Sequence, residues 1–81
     1  MAVILFFGRF SDLSTRMDIS LPPSVTDKVS LNAFLSKEIE GFAALVSRPD
    51  TRIAVNKMVS LNPVAVTDAD EIAYMSALSG G

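Results

Sequence analysis

The chain closes on Ser79-Gly80-Gly81, and the carboxylate of Gly81 is its foremost candidate for a reacting group. Glycine lacks a Cβ. Two in succession can thread a channel too narrow for any side chain and reach backbone angles closed to other residues. They present an unhindered α-carboxylate at the end of a lead. A carboxylate is a poor electrophile until one oxygen is made a leaving group. The chemistry such an end suits is acyl activation, with Gly81 as the acyl group and Gly80 giving steric access. The competing reading is an inert terminal pair.

The remaining inventory narrows the choice. The sequence contains neither histidine nor cysteine. The commonest general base and metal ligand are therefore missing, and a Ser-His-Asp or Cys-His nucleophile or a Cys/His zinc site is impossible. Disulfides are excluded and nothing suggests secretion, so a cytoplasmic location is expected. With a net charge of −2 and its basic residues scattered, the chain offers no stripe for nucleic acid. No stretch approaches the ~20 apolar residues of a membrane span. The apolar start, 1–7, has no basic segment before it and reads as a strand rather than a signal peptide. At 81 residues there is room for one domain, and an apolar fraction of 49% leaves apolar surface over for a partner. These features fit a carrier, a binding module or a subunit better than an autonomous enzyme.

The elements that would position the tail follow from periodicity. Val3-Ile4-Leu5-Phe6-Phe7 is a strand covered on both faces, or one whose second face serves assembly. Residues 11–14 read as a short turn. Residues 17–21 alternate, with Met17, Ile19 and Leu21 inward, and Pro22-Pro23 ends that strand. Ser30 is a candidate helix N-cap, and Leu31, Phe34, Leu35, Ile39 and Phe42 then share one helical face. Gly41 closes or interrupts the helix, residues 42–46 can add a turn, and Pro49 limits it. Strands are expected at 53–56 and 58–61. Val64-Ala65-Val66 leads into the turn Thr67-Asp68-Ala69-Asp70 and a last strand at 71–75, with Ile72 and Tyr74 on one face. The order β-β-α-β-(β)-β suits an α+β roll in which a mixed sheet grips one helix, first and last strands side by side. That is the β-grasp, or ubiquitin-like, arrangement, and it leaves a tail of about 76–81 free to project.

Four stretches carry a family resemblance. Leu5-Phe6-Phe7-Gly8, Ala54-Val55-Asn56, Thr67-Asp68-Ala69-Asp70-Glu71-Ile72 and Ser79-Gly80-Gly81 resemble, in order and spacing, the opening strand, "AVN" strand, "TDGDEV" turn and terminal glycines of the molybdopterin synthase small subunits, the MoaD family. The chain departs from that pattern in three places. Ala69 stands where the family has Gly, so the turn should avoid positive φ or be strained. Ser11-Asp12-Leu13 stands for an Arg-Glu-Leu stretch, so a partner contact of that arginine would be absent or supplied by Arg9. Ser76-Ala77 stands for a Pro-Pro pair.

The resemblance implies a single sulfur-carrier domain, 1–81, that is non-catalytic alone and a subunit of a sulfurtransferase complex. An adenylyltransferase related to ubiquitin-activating enzymes (MoeB type) would use ATP to adenylate Gly81. A sulfur donor would convert it to a thiocarboxylate. The tail would then enter a MoaE-type large subunit and deliver sulfur to cyclic pyranopterin monophosphate, in molybdenum cofactor biosynthesis. No cofactor would be bound by this chain. By the same resemblance Val59 and Met75 would meet the large subunit, and the complex would be a heterotetramer; Leu78, an apolar side chain beyond the last strand, is expected to dock into a partner groove, with Ser79 also at that interface. Close alternatives are a ThiS-type carrier for thiamin or for transfer-RNA thiolation, and a ubiquitin-like protein modifier. An inert β-grasp interaction module is a third class.

The other residues have plainer readings. Phe6, Phe7, Phe34 and Phe42 are expected in the core. Val59 and Met75 are either buried or interfacial. Arg9, Lys57 and Asp70 are expected as solvated charge, and Asp68 and Asp70 as turn residues rather than metal ligands.

Overall fold

An unbroken apolar run at the start forms β1 (Ala2–Phe6), in which Ala2, Ile4 and Phe6 are buried and Val3 and Leu5 half-buried. The computed structural model describes residues 1–59 and 65–76. β2 (Arg16–Ile19) lies antiparallel to β1, with Ile4 opposite Met17. Met17, Ile19 and Leu21 pack against the core, as their alternation predicts.

The connection between these strands differs from the expected turn. It is a 3-10 helix, Gly8–Asp12. Gly8 turns the chain off the strand at φ 61°, a left-handed angle that glycine adopts without steric cost. The turn carries Phe10 inward, where it is 1% exposed and its ring lies 5.7 Å from Phe42 and 5.6 Å from Tyr74. Phe10 therefore takes the core position expected of Phe7, and Phe7 is 50% exposed. The expectation for Phe7 is corrected on that ground.

The main helix, α1 (Lys28–Glu38), starts earlier than expected. Its N-cap is Asp27, whose carboxylate accepts from the Ser30 N–H at 2.8 Å, while the Ser30 hydroxyl accepts from the Asp27 N–H at 3.1 Å. Ser30 is thus the third helical residue and one half of a capping box, which satisfies two otherwise unpaired donors. Leu31 and Leu35 are buried, and Phe34 and Ile39 pack partly buried on the same cluster. Gly41, at φ 88°, interrupts the helix as its sequence position suggested, and α2 (Phe42–Val46) follows. A side chain at Gly41 would be strained at that angle, and its Cβ would meet Leu13 at 3.3 Å.

β3 (Thr51–Val55) and β4 (Met58–Val59) form a hairpin around Asn56 and Lys57, which have φ of 51° and 72°. Two residues with positive φ make the turn type whose twist matches the strands. β5 (Glu71–Ser76) buries Ile72 and Tyr74, the face predicted for it. The order across the sheet is β2-β1-β5-β3-β4. β1 and β5 run parallel, side by side, and the other pairs are antiparallel. The result is a small α+β domain with a mixed five-stranded sheet and one main helix. Each large apolar side chain fully buried between them contributes roughly 1.5–3 kcal/mol. Tyr74 lies in the middle of this layer, donating its hydroxyl to Asn32 Oδ1 of α1 at 2.7 Å. Among the described residues no helix is long and apolar enough to cross a membrane.

Candidate functional site

Strand alternation divides the sheet into two unlike faces. Ile4, Phe6, Ile72, Tyr74 and Val55 face the helices, as the Tyr74–Asn32 bond and the edge-on contact of Phe42 with Tyr74 establish. The intervening residues form the opposite face. Leu5 lies level with Ala73, Ala73 with Ala54, and Ala54 with Val59, so one apolar row crosses four strands. Val3 lies beside Leu5 on β1, and Met75 beside Ala73 on β5. Phe7 continues the alternation of β1 and donates its N–H to the Tyr74 carbonyl at 2.9 Å, which keeps it in line with the strand. Among the described residues no helix covers this face.

Charged residues border the patch. Arg16 stands opposite Leu5 and Arg52 opposite Met75, while Asp18 and Glu71 stand opposite Val3. Arg16 is held to Asp18 at 3.1 Å, and Arg52 donates to the Pro49 and Thr51 carbonyls. An apolar centre with a polar border is the build of a protein-binding surface.

The expected interface residues divide as follows. Val59 is 54% exposed, so the buried reading does not hold for it, and Met75 is half-buried on the same face. Leu78, Ser79, Gly80 and Gly81 lie outside the described residues. Phe7 joins Val59 and Met75 on the face although it was expected in the core. The signal that could have found it is period two: with Ile4 and Phe6 inward, Val3, Leu5 and Phe7 must point the other way.

β5 ends at Ser76, the residue that leads into 77–81. Ser76 is 7% exposed, and its Oγ accepts from the Arg9 N–H at 3.2 Å. Ser76, the last described residue, thus lies beside the 3-10 helix, at the end of the patch where Phe7 and Met75 lie.

The carboxylates of the 67–70 turn are structural. Asp70 accepts from Asn56 Nδ2 at 3.0 Å, the Thr67 N–H at 2.7 Å and the Thr67 hydroxyl. The Asn56 side chain and then the Thr67 N–H hold its carboxyl below the usual carboxylate range. Asp68 is lowered by the Leu21 N–H foremost and then by the terminal ammonium, which lies 3.1 Å away. Asp70 does the turn chemistry expected of it, whereas Asp68 reaches out of the turn to the Leu21 N–H and the Met1 ammonium. Among the described residues no group of three or more potential metal ligands gathers. Ala69 has no positive φ, so the turn forms without glycine. Burial raises the Tyr74 phenol far above its ordinary value.

Compared with protein-family models, with curated proteins and with solved structures, the chain matches none.

Proposed function

We propose that this chain is a β-grasp sulfur carrier, the small subunit of a molybdopterin synthase, with Gly81 as the activated acyl group. The observation that carries the reading is the pairing of an uncovered apolar sheet face with an adjoining strand end. Val59, Met75 and Phe7 lie on that face, and β5 ends at Ser76 beside it, five residues before Gly81. A body that docks by its sheet and offers its last residues to a partner's active site needs both. The parallel pairing of β1 with β5 and the single main helix are compatible with a β-grasp.

In the proposed cycle the Gly81 carboxylate attacks the α-phosphorus of ATP and pyrophosphate leaves. A sulfide equivalent from the sulfur donor then displaces AMP from the acyl-adenylate, giving the thiocarboxylate. The large subunit transfers that sulfur to cyclic pyranopterin monophosphate, and water restores the carboxylate. The catalytic groups sit on the partners, which agrees with a chain that has no histidine or cysteine.

The test is an intact-mass measurement after incubation with ATP, a MoeB-type adenylyltransferase and a sulfide source. Exchange of one oxygen for sulfur at Gly81 is expected, as is co-purification with a MoaE-type subunit. One residue added after Gly81 should abolish the exchange and leave binding unchanged. No exchange in the unmodified protein rejects the carrier reading. Exchange with a thiazole synthase or a transfer-RNA thiolation enzyme as the captured partner moves it to a sister pathway. Conjugates on lysine that survive reductant make it a protein modifier.

A further inference from the structure

The charges that border the sheet face are sorted by sign. Leu5, Ala73, Ala54 and Val59 form one apolar row across four strands. Glu71 lies two residues to one side of that row on β5, and Asp18 stands at the same end, opposite Val3. Arg52 lies two residues to the other side on β3, level with Met75. Each step of two residues is about 7 Å along a strand. The face is thus acidic at one end, basic at the other and apolar between. Among the described residues Glu71 and Arg52 enter no ion pair. The two bonds that Arg52 donates, to the Pro49 and Thr51 carbonyls, both leave from Nη1.

A face built this way is complementary to itself. Turned over about a two-fold axis that runs along the Leu5 row, a second copy brings its basic end against the acidic end of the first. We propose that this face takes a second copy of the chain, the two sheets packing face to face with their strands antiparallel. In a two-fold contact every off-axis pairing occurs twice. On the axis, Leu5, Ala73, Ala54 and Val59 meet their own counterparts. To either side, Val3 covers Phe7 of the second copy, a ring that is 50% exposed in one chain. Glu71 faces Met75 of the second copy, and Arg52 of that copy is one strand away, about 4.8 Å. Sheets stacked face to face stand about 10 Å apart, a gap that long side chains fill from both sides. Arg16 falls at the rim of the axial row. Its own Asp18 holds it at 3.1 Å, so the two copies of Arg16 meet as ion pairs rather than as bare cations. A net charge of −2 per chain sets up little long-range repulsion between copies. The pairing does not depend on the carrier reading. On that reading it is a resting form, which a large subunit takes apart by claiming the same face.

The experiment is sedimentation equilibrium on the full chain, with circular dichroism to establish that each variant is folded. The mass of the unmodified protein should rise with concentration from the 8.7 kDa of one chain toward twice that value. Glu71→Arg alone and Arg52→Glu alone each set like charges against one another and should weaken the pairing about tenfold or more. An equimolar mixture of the two single variants should recover a dimer holding one chain of each, since every arginine then meets a glutamate. The double variant Glu71→Arg/Arg52→Glu should pair with itself for the same reason. The mass of a single chain at concentrations up to about 1 mM overturns the proposal. If a MoaE-type subunit is then still captured by this face, the face belongs to that partner alone. A dimer that both single variants leave intact overturns the choice of face. A mixture that pairs no more tightly than its components overturns the two-fold arrangement. No thiocarboxylate chemistry enters these measurements, so failure here is distinct from failure of sulfur exchange at Gly81.

Discussion

Phe6 and Phe7 are adjacent and chemically identical, yet one turns to the helices and the other to solvent. Their replacement should separate stability from recognition. Phe6→Ala empties a core site and should cost about 3–5 kcal/mol in urea unfolding. Phe7→Ala should cost under about 0.5 kcal/mol, yet, on the carrier reading proposed above, weaken capture of a MoaE-type subunit about tenfold or more, as an exposed aromatic anchor would. The carboxylates make a second prediction at this scale. Asp27, Asp68 and Asp70 are all held below their ordinary values, Asp27 chiefly by the Ser30 N–H. A lowered folded value means the ionised form is favoured by folding. That stability is complete above the unfolded carboxylate value near about 3.9 and is lost as pH falls through the folded values. The urea midpoint should therefore hold level from neutral pH and drop in the acid range below about pH 4. Asp70→Asn should make that drop shallower.

At the scale of elements, the hairpin between β3 and β4 holds Lys57 in a conformation that costs a residue with a Cβ about 1–2 kcal/mol. Lys57→Gly converts the loop to Asn-Gly, the preferred pair for this turn, and should raise stability by up to about 1 kcal/mol in thermal or urea melts. Asn56 should not be changed with it. Its side chain accepts from the Glu71 N–H at 2.9 Å and donates to Asp70, binding the hairpin to the start of β5. Asp27→Ala should lower the melting temperature of the domain, whereas Ser24→Ala, on the preceding exposed loop, should not. The elements were largely legible in the sequence because their periods are clean. β2 and β5 alternate, and Leu31 and Leu35 recur at helical spacing. The start of α1 was misplaced because Asp27 and Ser30 are both capping residues, and the reciprocal bond that orders them appears only in three dimensions. The 3-10 helix was missed because Gly8-Arg9-Phe10 is too short to show a period. The Asn56-Lys57 turn lacks the glycine that would have announced it. Of the site, Val59 and Met75 were named through resemblance, but Phe7 was expected in the core although the period of two that buries Ile4 and Phe6 turns it the other way.

At the scale of the molecule, one cluster joins the sheet, both helices and the 3-10 helix, with Tyr74 within 6.3 Å of the rings of Phe6, Phe10 and Phe42. The chain has a single tyrosine and no tryptophan. Its intrinsic emission therefore reports on the centre of that cluster. Tyr74 fluorescence and far-ultraviolet circular dichroism should give coincident urea transitions, and separated transitions would show that the sheet and helices do not melt together. The adjacency of the first and last strands was legible, since the most apolar runs belong in the interior of a sheet. The parallel pairing of β1 with β5 has a mechanical consequence. Val3 to Phe6 are in register with Glu71 to Tyr74, and both strands point the same way. A pull that drags β5 forward by the residues after Ser76 while β1 is held back by its start loads the whole ladder in shear. Its bonds must then yield together rather than unzip one at a time. On the carrier reading proposed above, a partner drawing on Gly81 would load this ladder in shear rather than peel it strand from strand.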